Sequence, residues 1–252
     1  ARAFMSWLLD NNYIFQGVVR YRLGPDGLPD RIAESASGVF TDPELLPLVF
    51  PGLIVEVEAN LVPSDNDYRI VDIDYCHNAE SIYHLEPIDD IVVREWGPDG
   101  KLLEATLLVG RFAKGAFTQK TGDIPLLKEK LEWLLANSGT APKSYAYREI
   151  RALFNRFPTR ELFYGNVQAI KEINDRIVYM TGEDEIAVHT RNGLGYVTLY
   201  IAFSRARYSV RTESDLKQAL SAAYGPISFC TSADLGAVGR VLFYFEAQQM
   251  GH

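Results

Sequence analysis

Apolar positions change their spacing several times along this chain, and each change marks a different element. Phe4, Trp7 and Leu8 share one helical stripe, which Asp10-Asn11-Asn12 ends. YIFQGVVRYRL, residues Tyr13–Leu23, is rich in β-branched and aromatic side chains and reads as a strand. It runs into Gly24-Pro25-Asp26-Gly27, where proline presets the second turn position and the closing glycine tolerates positive φ. The same GPDG recurs at 97–100, between IVVREW and KLLEATLLVGRF, so both copies predict hairpins. Between them, residues 43–49 predict a short helix capped by Thr41 or Asp42, and 53–61 and 68–75 two more strands joined by PSDND. The first 113 residues therefore predict a mostly antiparallel sheet with little helix.

From Asp123 the period becomes helical. Ile124, Leu127, Leu131, Leu134 and Leu135 form one stripe, with Asp123 as the expected N-cap, Pro125 in the first turn and Gly139 beyond the end. A second helix is expected over 146–155, presenting Ile150, Leu153 and Phe154, with Pro158 breaking it. A third is expected over 159–180, with Leu162, Val167, Ile170 and Ile173 on its stripe. Residues 184–190 and 195–205 then read as strands about an Asn192-Gly193 turn. Thr212 caps an expected helix whose buried stripe is Leu216, Ala219, Leu220 and Ala223, and strands follow at 227–231 and 240–247. That order predicts two helices on one face of a four-stranded antiparallel sheet. The fold class is α+β, with modules at 1–113 and 161–250 and a helical linker at 114–160.

Composition narrows the function classes. The 252 residues are 47% hydrophobic and 23% charged, an ordinary globular balance. A net charge of −8 and a pI near 5.1 argue against nucleic acid as a partner. No apolar run is long enough to span a bilayer and no secretory signal is seen, so a cytoplasmic location and no membrane partner are expected. Cys76 and Cys230 are far apart and read as reduced thiols. The chain opens on Ala1 inside a helical pattern, which leads us to expect a longer parent.

The candidate chemistry is thin. GAFTQKTGD, residues 115–123, has phosphate-loop residue types in the wrong order: Gly122 follows Lys120-Thr121, and Asp123 would repel a phosphate at the helix start. It reads as a joint between modules. Gly193-Leu194-Gly195 lacks the third glycine of a dinucleotide loop. Asp72, Asp74, Cys76, His77 and His84 fit no closed metal pattern, and the strand VDIDY is expected to bury Val71, Ile73 and Tyr75 and expose its aspartates. His189 sits in a strand, and Asp89-Asp90 and Glu183-Asp184 read as solvated pairs at turns or strand starts. No catalytic, cofactor-binding or metal residue is assigned.

An ordered set of anchors carries a resemblance. Trp7-Leu8, Phe15 and Gly17 are followed by Ile124-Pro125-Leu126-Leu127, Phe157-Pro158, Glu161-Leu162-Phe163 and Tyr208. Together with LVGRFAKGAFTQKTGDIPLLKEKLEWLLANSG and the blocks that follow, the chain resembles the N-terminal regulatory region of the large bacterial NAD-dependent glutamate dehydrogenases, departing from it between about 60 and 83. The resemblance implies a PAS-like or ACT-like first module and an ACT-like last one. It places the glutamate and NAD sites in a downstream part of the parent, so the NAD cofactor belongs to the parent and none to this stretch. It implies as partners the rest of the parent chain, further copies of it, and a small amino-acid effector.

Overall fold

The computed structural model describes residues 1–24, 26–42, 44, 46, 61–62, 70–80, 87–193, 196–235 and 239–248; of 76–80, 87, 193 and 248 it describes the backbone alone. The helix expected at 43–49 and the strand expected at 53–61 lie almost wholly outside these residues. The chain forms two compact units, Ala1–Gln119 and Lys120–His252. Of the expected linker 114–160, the part up to Gln119 is in the first unit and the rest in the second.

The first unit opens with α1 (Arg2–Trp7), which runs into a π turn at Leu8–Asn12 where Asn11 takes φ 58°. Five strands follow: β1 (Tyr13–Leu23), β2 (Pro29–Gly38), β3 (Val71–Glu80), β4 (Pro87–Trp96) and β5 (Leu102–Phe112). They lie in the order β2-β1-β5-β4-β3, every pairing antiparallel. Both GPDG turns close hairpins, and they do so identically. Gly27 and Gly100 take φ 79° and 76°, and each donates to the carbonyl of the glycine that opens its turn, at 3.0 Å. Val19, Tyr21, Ala105, Leu107, Val109, Ile88 and Val92 build the core on one sheet face, under Phe40 and Leu61. Gly17 is needed there: a Cβ would fall 2.8 Å from the Phe40 ring.

The second unit begins with four helices. They are α2 (Pro125–Ala136), α3 (Tyr145–Phe154), α4 (Thr159–Tyr164) and α5 (Val167–Val178). Asp123 does not cap α2. Ile124 is the last extended residue, and Pro125 at N1 has no N–H to satisfy. A cap is worth about 1 kcal/mol, whereas burying each of Leu127, Leu131, Leu134 and Leu135 contributes about 1.5–3 kcal/mol, an upper figure. Burial therefore decides where α2 lies. The single helix expected over 159–180 is two, parted at Gly165, whose backbone is extended, and restarted by Asn166, whose Oδ1 accepts from Gln168 N at 2.8 Å.

Then come β6 (Ile186–Gly193), β7 (Tyr196–Ser204), α6 (Val210–Tyr224), β8 (Ile227–Leu235) and β9 (Arg240–Gln248). The sheet order is β6-β7-β9-β8, again all antiparallel. Asn192-Gly193 is not the turn: both residues are in the ladder, opposite Val197 and Tyr196. Ser209, not Thr212, caps α6, its Oγ accepting from Thr212 N at 3.1 Å.

The expectation of two helices on one sheet face is also corrected. Odd-numbered residues of β7 and β9, from Val197 to Ala247, pack with Leu216 and Leu220 of α6. Even-numbered ones, Tyr200, Ala202 and Leu242, pack with Ile173 and Ile177 of α5. Helices cover both faces because β7 is buried along its whole length at both parities, the mark of a doubly covered strand, although the α5-side face also carries polar residues such as Thr198 and Glu246. Cover on the α6 side is light. Ala219 and Ala223, expected in its buried stripe, are exposed.

Candidate functional site

The most concentrated polar chemistry among the described residues is buried between α4 and the second sheet. Glu161, in the first turn of α4, is 1% exposed. Three strands supply its partners. Arg191 of β6 donates through Nη2 at 3.2 and 3.3 Å, Tyr244 of β9 donates through its hydroxyl at 2.5 Å, and Tyr200 of β7 donates likewise. Register explains the convergence. His189, Tyr200 and Tyr244 form one cross-strand row, and Arg191, Thr198 and Glu246 form the next row on the same face. Glu161 reaches both rows.

The network continues outward. Arg191 Nη1 donates to the Tyr196 hydroxyl at 2.9 Å, and the guanidinium lies over that ring, 5.3 Å from its centre. The Tyr244 hydroxyl is also 3.1 Å from Glu246 Oε2, and Ser228 donates to Glu246 Oε1 at 2.9 Å. Burial opposes the Arg191 charge, but the carboxylate of Glu161 and the oxygens of Tyr196 and Tyr200 outweigh it and hold the guanidinium protonated. Burial, then the Glu161 charge, pushes the Tyr200 hydroxyl well above the ordinary tyrosine range, so it stays a donor.

A second charged tie fixes α4 from above. The Lys130 ammonium of α2 donates to the carbonyls of Leu162, Phe163 and Gly165 at 2.8, 2.8 and 2.9 Å. These carbonyls lie at the C-terminal end of α4, where a cation is favoured. Asn174 of α5, fully buried, donates to Ile150 O of α3 at 3.2 Å. Neighbouring this network is a water-sized recess lined by Ile173, Ile177, Ala187, Ala202, Leu242, Arg176, Tyr200 and His189. The arrangement can hold a helical layer in one register on a sheet. Its polar groups are turned mainly toward one another.

The sequence candidates fall elsewhere. In the phosphate-like stretch, Lys114–Thr118 and Thr121–Asp123 are two 3-10 turns. Between them Gln119 is held by the first unit, accepting from Trp7 Nε1 at 2.9 Å and donating to Asn12 Oδ1 at 2.5 Å. Asp72 and Asp74 are half-buried rather than exposed, and Asp72 pairs with the buried Arg94 at 3.4 Å. The side chains of Cys76 and His77, all of His84, and Leu194 and Gly195 lie outside the described residues. Asp89 and Asp90 are not solvated: they are 5% and 4% exposed, and Asp89 Oδ2 accepts from Phe112 N at 2.8 Å. Glu183 and Asp184 are exposed, Asp184 pairing with Arg207. His189 is half-buried against Tyr200, ring centres 6.0 Å apart. Cys230 is a free thiol, half-buried beneath α6.

The fold and this network define an α+β protein of two antiparallel-sheet units, the second carrying a helical layer bonded onto its sheet. The family described as "Glutamate dehydrogenase, helical motif 1" matches residues 124–183, which span α2 to α5. The chain is 22% identical over 236 residues to an NAD-specific glutamate dehydrogenase of Pseudomonas aeruginosa, covering 87% of this chain and 14% of that protein. It is 22% identical over 174 residues to one from Halomonas elongata, covering 67% of this chain and 10% of that protein. These matches support kinship with the large NAD-specific glutamate dehydrogenases, of whose length the chain spans a small part. No described helix is long and apolar enough to cross a membrane.

Proposed function

We propose that this chain is a non-catalytic regulatory and assembly segment of an NAD-specific glutamate dehydrogenase. The observation that carries the reading is the coincidence of the family match with the bonded helical layer. Residues 124–183 are tied to a sheet through Glu161 and to one another through Lys130, and the partners of both are groups of this same unit. The parent reaction is oxidation of L-glutamate by NAD to 2-oxoglutarate and ammonia, and NAD belongs to the parent. The PAS-like or ACT-like character of the first unit and the ACT-like character of the second belong to this proposal, as do a cytoplasmic setting and assembly with further copies. A small amino-acid effector that binds one arrangement of the parent better than another would shift its active population by that difference in affinity.

The chain by itself should show no glutamate-dependent reduction of NAD. Turnover above a buffer blank from clean protein sinks the reading. A thermal-shift series with amino acids separates regulation from pure scaffolding, because a ligand well above its Kd raises the melting temperature. A flat series from an oligomeric protein favours the scaffold.

A further inference from the structure

Asn192-Gly193 is the hairpin signal that the structure leaves without a turn to make. Asn192 is exposed on β6, an edge strand bonded on one side only, and it forms the ladder pair next to the last, with Gly193 opposite Tyr196 closing the ladder. Glycine sets no side chain beside its own N–H, so that nitrogen is open to the preceding carboxamide. Several other asparagines are tied down. Asn12 and Asn174 are buried and bonded, Asn137 donates to Trp133 O at 2.8 Å, and Asn166 caps α5.

We propose that Asn192 is a site of spontaneous covalent modification, in which its carboxamide closes on the Gly193 nitrogen and opens to aspartate or isoaspartate. A bond forms between Gly193 N and Asn192 Cγ. The Cγ–Nδ2 bond breaks, and the amide leaves as ammonia carrying the Gly193 proton. Water then opens the five-membered imide at either carbonyl. Water enters and ammonia leaves, so no oxidant or cofactor is required; side-chain amides are among the most heat-labile groups in proteins. An extended strand holds the carboxamide away from the nitrogen, so closure waits on local opening, which costs least at the last pairs of an edge hairpin.

The consequence follows from register. The side chain at 192 points to the sheet face opposite Arg191, so an aspartate there adds a carboxylate without meeting Glu161. An isoaspartate inserts one extra main-chain atom directly after Arg191. That displaces Arg191 from its place opposite Thr198 and from Glu161. The product is a slow, one-way loosening of the helical layer.

The test is to age the full chain in mildly alkaline buffer and map its peptides by mass spectrometry, with isoaspartate-specific methyl labelling. Asn192 should convert ahead of every other asparagine in the described residues. Labelled protein should melt below unlabelled protein from the same sample. Asn192→Gln, at an exposed position, and Gly193→Ala should each hold its own starting melting temperature through ageing. Conversion at Asn137 or Asn155 before Asn192 overturns the proposal, and so does an isoaspartate fraction that melts with the parent.

Discussion

Arg191 and Glu161 join the edge of the second sheet to its helical layer: an edge strand donates both long bonds of its guanidinium to a carboxylate on a six-residue helix. Taking such a pair out of water costs most of what its attraction returns, so the pair selects a register more than it adds stability. Removing one partner is a different matter, because the other is then buried and uncompensated. Glu161→Leu alone, and Arg191→Met alone, should each lower unfolding free energy by about 3–5 kcal/mol. The double variant should recover part of that loss in urea denaturation, the Tyr200 hydroxyl being left without its acceptor. Single-variant losses that simply add would show that the two residues do not act as a pair.

Lys130 makes a narrower case. Its ammonium serves three carbonyls that the end of α4 leaves open. Lys130→Met keeps most of the stem packing and strips the donors, so it should cost about 1–3 kcal/mol. Lys130→Arg should not restore it, since a planar fork cannot point at three converging oxygens. Denaturant midpoints of the two variants against the parent decide this, and an arginine variant as stable as the parent rules out the geometry.

Much of the scaffold is legible in the sequence, and the reasons differ by element. Both GPDG hairpins and the stripe of α2 follow from turn chemistry and period, which are local. The Glu161 network is not legible, because Arg191, Tyr200 and Tyr244 stand 30 to 83 positions from Glu161 in sequence and converge on it only through sheet register. One signal was available: Ala187, His189 and Arg191 share a parity, so an arginine on the inward face of β6 needed a buried acid. The break at Gly165-Asn166 also carried its own signature, a glycine followed by a capping residue. The second helical cover could have been read from β7, where Tyr196, Tyr200 and Ala202 alternate with Val197, Leu199, Ile201 and Phe203, so that large apolar or aromatic side chains occur at both parities.

The cap of α6 offers a direct contest between two adjacent readings. Thr212 begins the acidic run TESD and looks like the cap, yet Ser209 Oγ is the acceptor for Thr212 N. Ser209→Ala should therefore destabilise the unit by about 1 kcal/mol. Thr212→Ala loses only its side-chain bonds to Arg207 O and Ser209 Oγ at the exposed end, and should cost less. Thermal denaturation of both variants checks the order, and a reversed order returns the cap to Thr212.

His189 gives the second unit a pH dependence of known sign. Burial, the largest influence, holds its imidazole below the ordinary range, the Glu172 charge partly opposes this, and Arg176 and Arg191 add to the depression. The folded protein therefore binds that proton less readily than the unfolded chain does. Its contribution to stability is fully present above the ordinary histidine value of about 6.5 and is lost as pH falls through the lower folded value. Tyr200, which faces the imidazole, remains neutral throughout that window. His189→Gln keeps a polar side chain of similar reach and removes the titration, so its melting temperature should fall less steeply than the parent's between neutral and mildly acidic pH. Parallel curves for the two proteins across that window would mean that the imidazole is equally easy to protonate folded and unfolded.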